Sequence, residues 1–300
     1  MKFNKIVCVD NTRLNKQALS ELEKLSGELK VYSDYPMQKE VIINRIGNAE
    51  AIIVSWRTEI DEEIIQACSG LKYIGMACSL YDEESANVAV KFARERGISV
   101  KGIRDYGDPG VAEFIISELI QLLNGYREEQ WKELPQELTE LRIGIVGMGV
   151  TGQLLAKCLL PFGAELAYYS RSRKTEWEKN GVEYLPLDEL LKTCEVISFH
   201  LPKNVQLIGE NEFRILGNGK ILINTSLGLP FEEHAFQKWI KNTGNFAIFD
   251  ADGRKELTSE TRLIPGVIVS ESSAGWSEQT LERLSEKVIR NIRGYNKENA

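Results

Sequence analysis

Two short stretches of this sequence carry residue types and spacings that could do chemistry. The first is Gly147-Met148-Gly149-Val150-Thr151-Gly152. An apolar run, Ile143 to Val146, leads into it, and a helical pattern through Leu154, Leu155, Cys158 and Leu159 follows at once. Strand, tight turn and helix start in that order make a cradle for a dinucleotide pyrophosphate. Gly147 allows the turn, Gly149 lets a phosphate approach the backbone, and Gly152 lets helix and strand pack closely. The helix start, at Val150 and Thr151, offers free N–H groups and a partial positive charge to the anion. The bare glycine spacing is a weak sign, and the readable strand and helix around it strengthen it.

The second stretch is Ser170-Arg171-Ser172-Arg173-Lys174, which follows the apolar run Ala164 to Tyr169. In a dinucleotide-binding unit an acid here bonds the ribose 2′-hydroxyl. This chain has no carboxylate before Glu176. A hydroxyl and two guanidinium groups, Ser170, Arg171 and Arg173, suit a 2′-phosphate instead. The expected cofactor is NADP(H) in preference to NAD(H); a solvated basic loop is the plain alternative.

Little else in the composition is reactive. There are two histidines, His200 and His234, and five scattered cysteines without metal spacing, so no metal site is expected. The cysteines lie mostly in apolar runs, as free thiols do in a reducing cytoplasm, and a cytoplasmic location is expected. A net charge of −7 argues against general nucleic-acid or membrane-surface binding. No apolar run approaches the length of a membrane span.

The elements that must position these residues alternate in type. Strand candidates are Ile6–Val9, Leu29–Tyr32, Ala51–Val54, Tyr73–Met76 and Ile98–Lys101, with helices between them at Lys16–Leu25, Lys39–Ile46, Glu62–Cys68 and Glu84–Arg96. A helix at Val111–Tyr126 leads to a second series: strands at 143–146, 165–169, 195–199, 220–224, 246–250 and 267–270, with helices near 150–161, 187–193, 210–216 and 231–241. Ser277–Tyr295 reads as one amphipathic helix with a disordered polar tail, Asn296–Ala300. This alternation predicts an α/β chain with two doubly wound parallel sheets.

The landmarks together resemble the D-isomer-specific 2-hydroxyacid dehydrogenase family. Ile143–Gly152 is similar to its cofactor loop and Phe199-His200-Leu201-Pro202 to the strand end that passes the nicotinamide ribose. Ile221–Gly228 is similar to its INTARG strand, Val111-Ala112-Glu113 to its helix start, and Val267–Ser277 to its TPHxAGxT segment. The resemblance implies a flavodoxin-like substrate domain, residues 1–105 plus 277–300. An NAD(P)-binding Rossmann domain, 106–276, would be inserted in it, with the active site in the cleft between them. It also implies a homodimer, although residues 127–141, where the family carries a dimer arm, are short. Pro202, Thr225, Ser226 and Asp250 would surround the nicotinamide end.

The family's chemistry needs an Arg to clamp the substrate carboxylate and carbonyl, a His to exchange the proton, and a Glu to orient that His. At those positions this chain has Leu227, Ser272 and Lys255, with Glu256 one residue off the last, and no Arg lies between Arg214 and Arg254. His200, Glu271 and Ser272 are the catalytic candidates that remain. Each has a plainer reading: His200 as cofactor packing, Glu271 as a surface carboxylate, Ser272 as a hydroxyl unable to act as a base unaided. The expected function is an NAD(P)-dependent oxidoreductase, NADP(H)-preferring, acting on a small carbonyl or imine substrate outside the ordinary 2-keto acids. The alternative is a catalytically silent NAD(P)(H)-binding sensor or partner-binding protein.

Overall fold

Strands buried on both faces pair in parallel and take their cover from helices, and the apolar runs of this chain do so twice. The computed structural model describes residues 2–84 and 86–299. They form two compact units, one built from residues through Tyr106 and from Ser277 onward, the other from Gly107–Trp276.

The first unit runs β1 Phe3–Cys8, α1 Lys16–Lys24, β2 Ser26–Val31, α2 Lys39–Ile46, β3 Ala51–Val54, α3 Glu62–Ala67, β4 Tyr73–Ser79, α4 Val90–Glu95 and β5 Ser99–Ile103. Its sheet is parallel in the order β2-β1-β3-β4-β5, the flavodoxin-like order. One face packs on Ile42, Ile46, Ile64, Ile65 and Ala93. The other packs on Ala18 and Leu22 of α1 and on Leu284, Val288, Ile289 and Ile292. Those last four come from the final helix of the chain. Its N-cap is Ser277, whose hydroxyl accepts from Thr280 N at 3.1 Å.

The sequence reading differs here in two places. The helix predicted over Glu84–Arg96 begins only at Val90. Residues 87–89 bridge to Ile60, through Ile60 N to Asn87 O and Ala89 N to Ile60 O, both 2.9 Å. The acids at 82–84 therefore precede a turn, and Ser85 lies outside the described residues. The tail is also corrected: the last helix continues through Glu298 and buries Asn296, while Ala300 lies outside the described residues.

The second unit runs α5 Asp108–Asn124, β6 Arg142–Val146, α6 Val150–Leu159, β7 Glu165–Tyr169, α7 Thr175–Lys179, β8 Glu183–Tyr184, α8 Leu187–Thr193, β9 Val196–Phe199, α9 Glu210–Leu216, β10 Ile221–Asn224, α10 Glu233–Ile240, β11 Phe246–Phe249, α11 Ser259–Arg262 and β12 Val267–Val269. The returning helix of the first unit is then α12, Glu278–Glu298. The second sheet is parallel in the order β12-β11-β10-β9-β6-β7-β8. The chain lays β7 and β8 on one side of β6, then reverses to build outward from β9. Ligands bind beyond the strand ends at such a reversal. Helix α5 starts three residues earlier than predicted. Its Gly107 and Gly110 lie against the backbone of Gly275 and Ala274, where an added Cβ would fall 2.8 and 2.6 Å from a carbonyl oxygen.

Candidate functional site

Strand β6 ends at the reversal and delivers the glycine loop there. Gly147 has φ +104°, and a Cβ on it would fall 2.2 Å from the His200 carbonyl oxygen. The loop thus turns flush against the end of β9, with Gly147 N donating to Tyr169 O (2.9 Å) and His200 N to Val146 O (2.8 Å). Gly152 seats the helix: its Cβ would fall 2.2 Å from Gly147 O and 3.1 Å from Ile145 Cγ2. Gly149 is the N-cap of α6, extended, with no side-chain cap. A Cβ there would meet nothing within 4 Å. Uncapped helix N–H groups facing open space over a residue without a side chain fit a pyrophosphate. Val150 is exposed beside them. The Thr151 hydroxyl donates to the Asp108 carboxylate, which ties the starts of α5 and α6 together and leaves only the Thr151 main chain for a phosphate.

The basic loop after β7 divides into two parts. Ser170 is half-buried and Arg171 exposed, and neither side chain has a partner among the described residues. Arg173 is already engaged. Its Nε donates to Glu178 Oε1 at 3.1 Å, its Nη2 to Glu178 Oε2, and its guanidinium lies 4.8 Å from the Tyr184 ring centroid. The Arg173 guanidinium holds the Glu178 carboxyl below its ordinary range. In the structure Arg173 braces the loop against α7 and β8, two short elements the sequence reading did not contain.

Beyond the ends of β9, β10, β11 and β12 lie the residues of the expected nicotinamide end. Ser198 Oγ and His200 Nε2 are 3.0 Å apart, and burial pushes His200 down to about 4. The imidazole is therefore neutral near pH 7. The plainer reading of His200, as packing beneath the glycine loop, fits this geometry. Ser226 is a staple: its Oγ accepts from Leu201 N and donates to Phe199 O, both at 3.3 Å. Thr225 is half-buried with its hydroxyl unpaired among the described residues, and Pro202 and Leu227 are exposed. Asp250 is 1% exposed. Its Oδ1 accepts from Gly253 N (2.7 Å) and its Oδ2 from Ala274 N (2.8 Å), so its carboxylate knits β11 to the segment after β12.

Glu271 does not have the environment of a proton donor. Its side chain is 84% exposed, both oxygens bond Arg254, and that guanidinium holds the carboxyl below the usual range. The plainer reading of Glu271, a charged surface carboxylate, fits this geometry, and the alternative of a buried acid there does not. Ser272 is exposed, and its hydroxyl has no partner among the described residues. Three residues at this rim escaped the sequence reading: Arg254, Asp252 and Ser273, the last donating to Asp252 Oδ2 at 2.5 Å. Only the Asp250-x-Asp252 spacing hinted at them. In the other unit, Cys78 is buried and its thiol is pushed up to about 12, chiefly by that burial. No cluster of His, Cys, Asp or Glu among the described residues could hold a metal ion. No helix there is long and apolar enough to cross a membrane.

Residues 115–268 match the family described as D-isomer specific 2-hydroxyacid dehydrogenase, NAD binding domain. The chain belongs to the D-isomer-specific 2-hydroxyacid dehydrogenase family. Among its relatives is a glyoxylate reductase of Korarchaeum cryptofilum, 29% identical over 303 residues, covering 92% of this chain and 89% of that protein. A hydroxypyruvate reductase of Blautia hydrogenotrophica is 28% identical over 246 residues, covering 75% and 74%. The structure of an acyclic imino acid reductase, Bsp5, in complex with NADPH and D-Arg shares the fold, with a TM-score of 0.78 and 24% identity over 98% of this chain and 97% of that one.

This 2-hydroxyacid dehydrogenase family member is therefore an NAD(P)-dependent oxidoreductase with two parallel-sheet units. It departs from the family resemblance where proton and carboxylate are handled. Leu227 is 54% exposed and cannot bind an anion. In the sequence reading Ser272 falls at the place of the His. Lys255, which falls at the place of the Glu in the sequence reading, has its ammonium on Asp252.

Proposed function

We propose that this chain is an NADP(H)-preferring reductase of a small carbonyl or imine compound other than an ordinary 2-keto acid. The observation that carries the cofactor half is the open space above Gly149 at an uncapped helix start. Arg171, unpaired at the end of the next strand, carries the preference for the phosphorylated form. A guanidinium there offers charge-assisted bonds to a 2′-phosphate, whereas a carboxylate there would repel it. The main-chain N–H groups of residues 149–152 hold the pyrophosphate, and Ser170 and Arg171 hold the adenosine end. Pro202, Thr225 and Leu227 border the nicotinamide.

When bound, the reduced cofactor supplies a hydride to the substrate carbon. The proton is the harder requirement. His200 is neutral, Ser272 is a weak acid, and Glu271 is ionised on Arg254. A substrate that arrives protonated removes the difficulty. A protonated imine accepts the hydride at carbon while its C=N π pair becomes the nitrogen lone pair, so the protein need donate nothing. A carbonyl would leave an alkoxide with only water to protonate it. This favours C=N over C=O, with the apolar Leu227 beside the reacting carbon. The same lack of a donor is what a silent NADP(H) sensor would have, and turnover decides between them.

The test is binding followed by turnover. Arg171→Ala should weaken NADPH about tenfold and leave NADH unchanged, read by calorimetry. NADPH oxidation should then be measured over a panel of cyclic and acyclic imines and of 2-keto acids. Equal effects on both nucleotides would remove the NADP(H) preference. Fast turnover of 2-keto acids would remove the substrate reading, and tight NADPH binding with no turnover at all would leave the sensor.

A further inference from the structure

We infer that Arg254 is the carboxylate-binding residue of this site and that Glu271 occupies it as an internal stand-in for a substrate carboxylate. The inference rests on the reductase reading and adds to it that the substrate carries a carboxylate.

The pair has the geometry of ligand recognition. Arg254 Nη1 and Nη2 donate to Glu271 Oε1 and Oε2, each at 2.6 Å. This is the parallel fork by which a guanidinium recognises a carboxylate. The two partners are held very differently. The Arg254 side chain is 21% exposed and that of Glu271 84%, so the cation is built into the fold and the anion hangs in solvent.

The turn that presents Arg254 is fixed on three sides. Its N–H donates to Asp250 O at 3.1 Å. Gly253 donates to Asp250 Oδ1 and lies so close to the end of β10 that a Cβ would fall 2.2 Å from Asn224 O. The other Asp250 oxygen holds Ala274 N. Gly253, the residue before Arg254, is thus held against Asn224 at the end of β10, the residue from which the chain runs on to Thr225, Ser226 and Leu227. The surrounding charges leave room for an anion. Lys255 and Ser273 take the Asp252 carboxylate, while Arg262, whose Nη2 donates to Lys255 O at 3.1 Å, adds a second positive charge that acts on Glu271. An exposed ion pair is weak, so a ligand carboxylate displaces Glu271 at little cost.

Oxalate is the probe, titrated into the NADPH-saturated full-length protein by calorimetry. Glu271→Gln should bind oxalate about fivefold more tightly than wild type, because the internal competitor is gone. Arg254→Met should lose oxalate binding while keeping NADPH binding, and Arg254→Lys, which keeps the charge without the fork, should fall between. Thermal melts of each variant check folding, and Glu271, being exposed, is the position whose substitution leaves the fold least disturbed. Oxalate binding to Glu271→Gln no tighter than to wild type overturns the inference, as does full binding by Arg254→Met. Failure of the wild type to bind NADPH overturns the reductase reading, and the clamp with it.

Discussion

Gly149 and Gly152 are three residues apart, and a methyl group added to each meets opposite surroundings. At Gly149 it enters open space; at Gly152 it strikes the Gly147 carbonyl at 2.2 Å. Gly149→Ala should melt within a degree or two of wild type yet bind NADPH at least tenfold more weakly, because the methyl takes the volume a phosphate needs. Gly152→Ala should lose about 1–3 kcal/mol of stability, the usual scale of overpacking. Paired melting and titration curves check this, and a Gly149→Ala protein with wild-type affinity would show that no phosphate sits there. His200 makes a separable prediction. Its folded value of about 4 lies below the ordinary 6.5, so the unfolded chain takes up the proton first as pH falls. Stability from this group is complete above about pH 6.5 and declines toward pH 4. Between pH 7.5 and 5 the wild type should lose about 2 kcal/mol more than His200→Gln. Urea unfolding at both pH values checks it, and parallel losses in the two proteins would contradict it.

Elements long enough to show a period were legible in the sequence, and those decided by contacts were not. Strands 51–54 and 165–169 and helices 187–193 and 210–216 stand where the apolar pattern placed them. β8 has two residues and α7 five, too few for any period, yet they redirect Arg173 onto Glu178. The helix read from Glu84 failed because the strand-like pairing of residues 87–89 with Ile60 is a long-range fact. The candidate site divides the same way. The glycine loop is local and was readable whole. The Arg254–Glu271 pair joins residues 17 apart across two strand ends; Glu271 lies in a segment the family resemblance marks, but nothing there pointed to Arg254 as its partner. Leu227 and Ser272 were legible as departures from the family pattern in sequence alone, whereas the Arg254–Glu271 pair became visible only with the turn at Asp250.

At the scale of the molecule, among the described residues two hydrophobic clusters lie within Gly107–Trp276 and two within the remainder, so each unit has cores of its own. The fragment 107–276 should therefore fold alone and retain NADPH binding. A chain ending at Trp276 should lose the first unit. Exposing Leu284, Val288, Ile289 and Ile292 forfeits about 1.5–3 kcal/mol each, which together rivals the whole stability of a domain. Proteolysis of the truncated chain should digest residues before 107 and spare those after. Survival of the amino-terminal part would refute the assignment of α12 as its cover.

The placement of α12 also orders events at the ribosome. Residues 1–106 leave the exit tunnel before residues 277–299, and until those emerge one face of the first sheet has only α1 to cover it. The intervening unit has everything it needs before then. The first unit thus finishes folding after the second, and the second can take up its coenzyme while the first is still waiting for the rest of its lid.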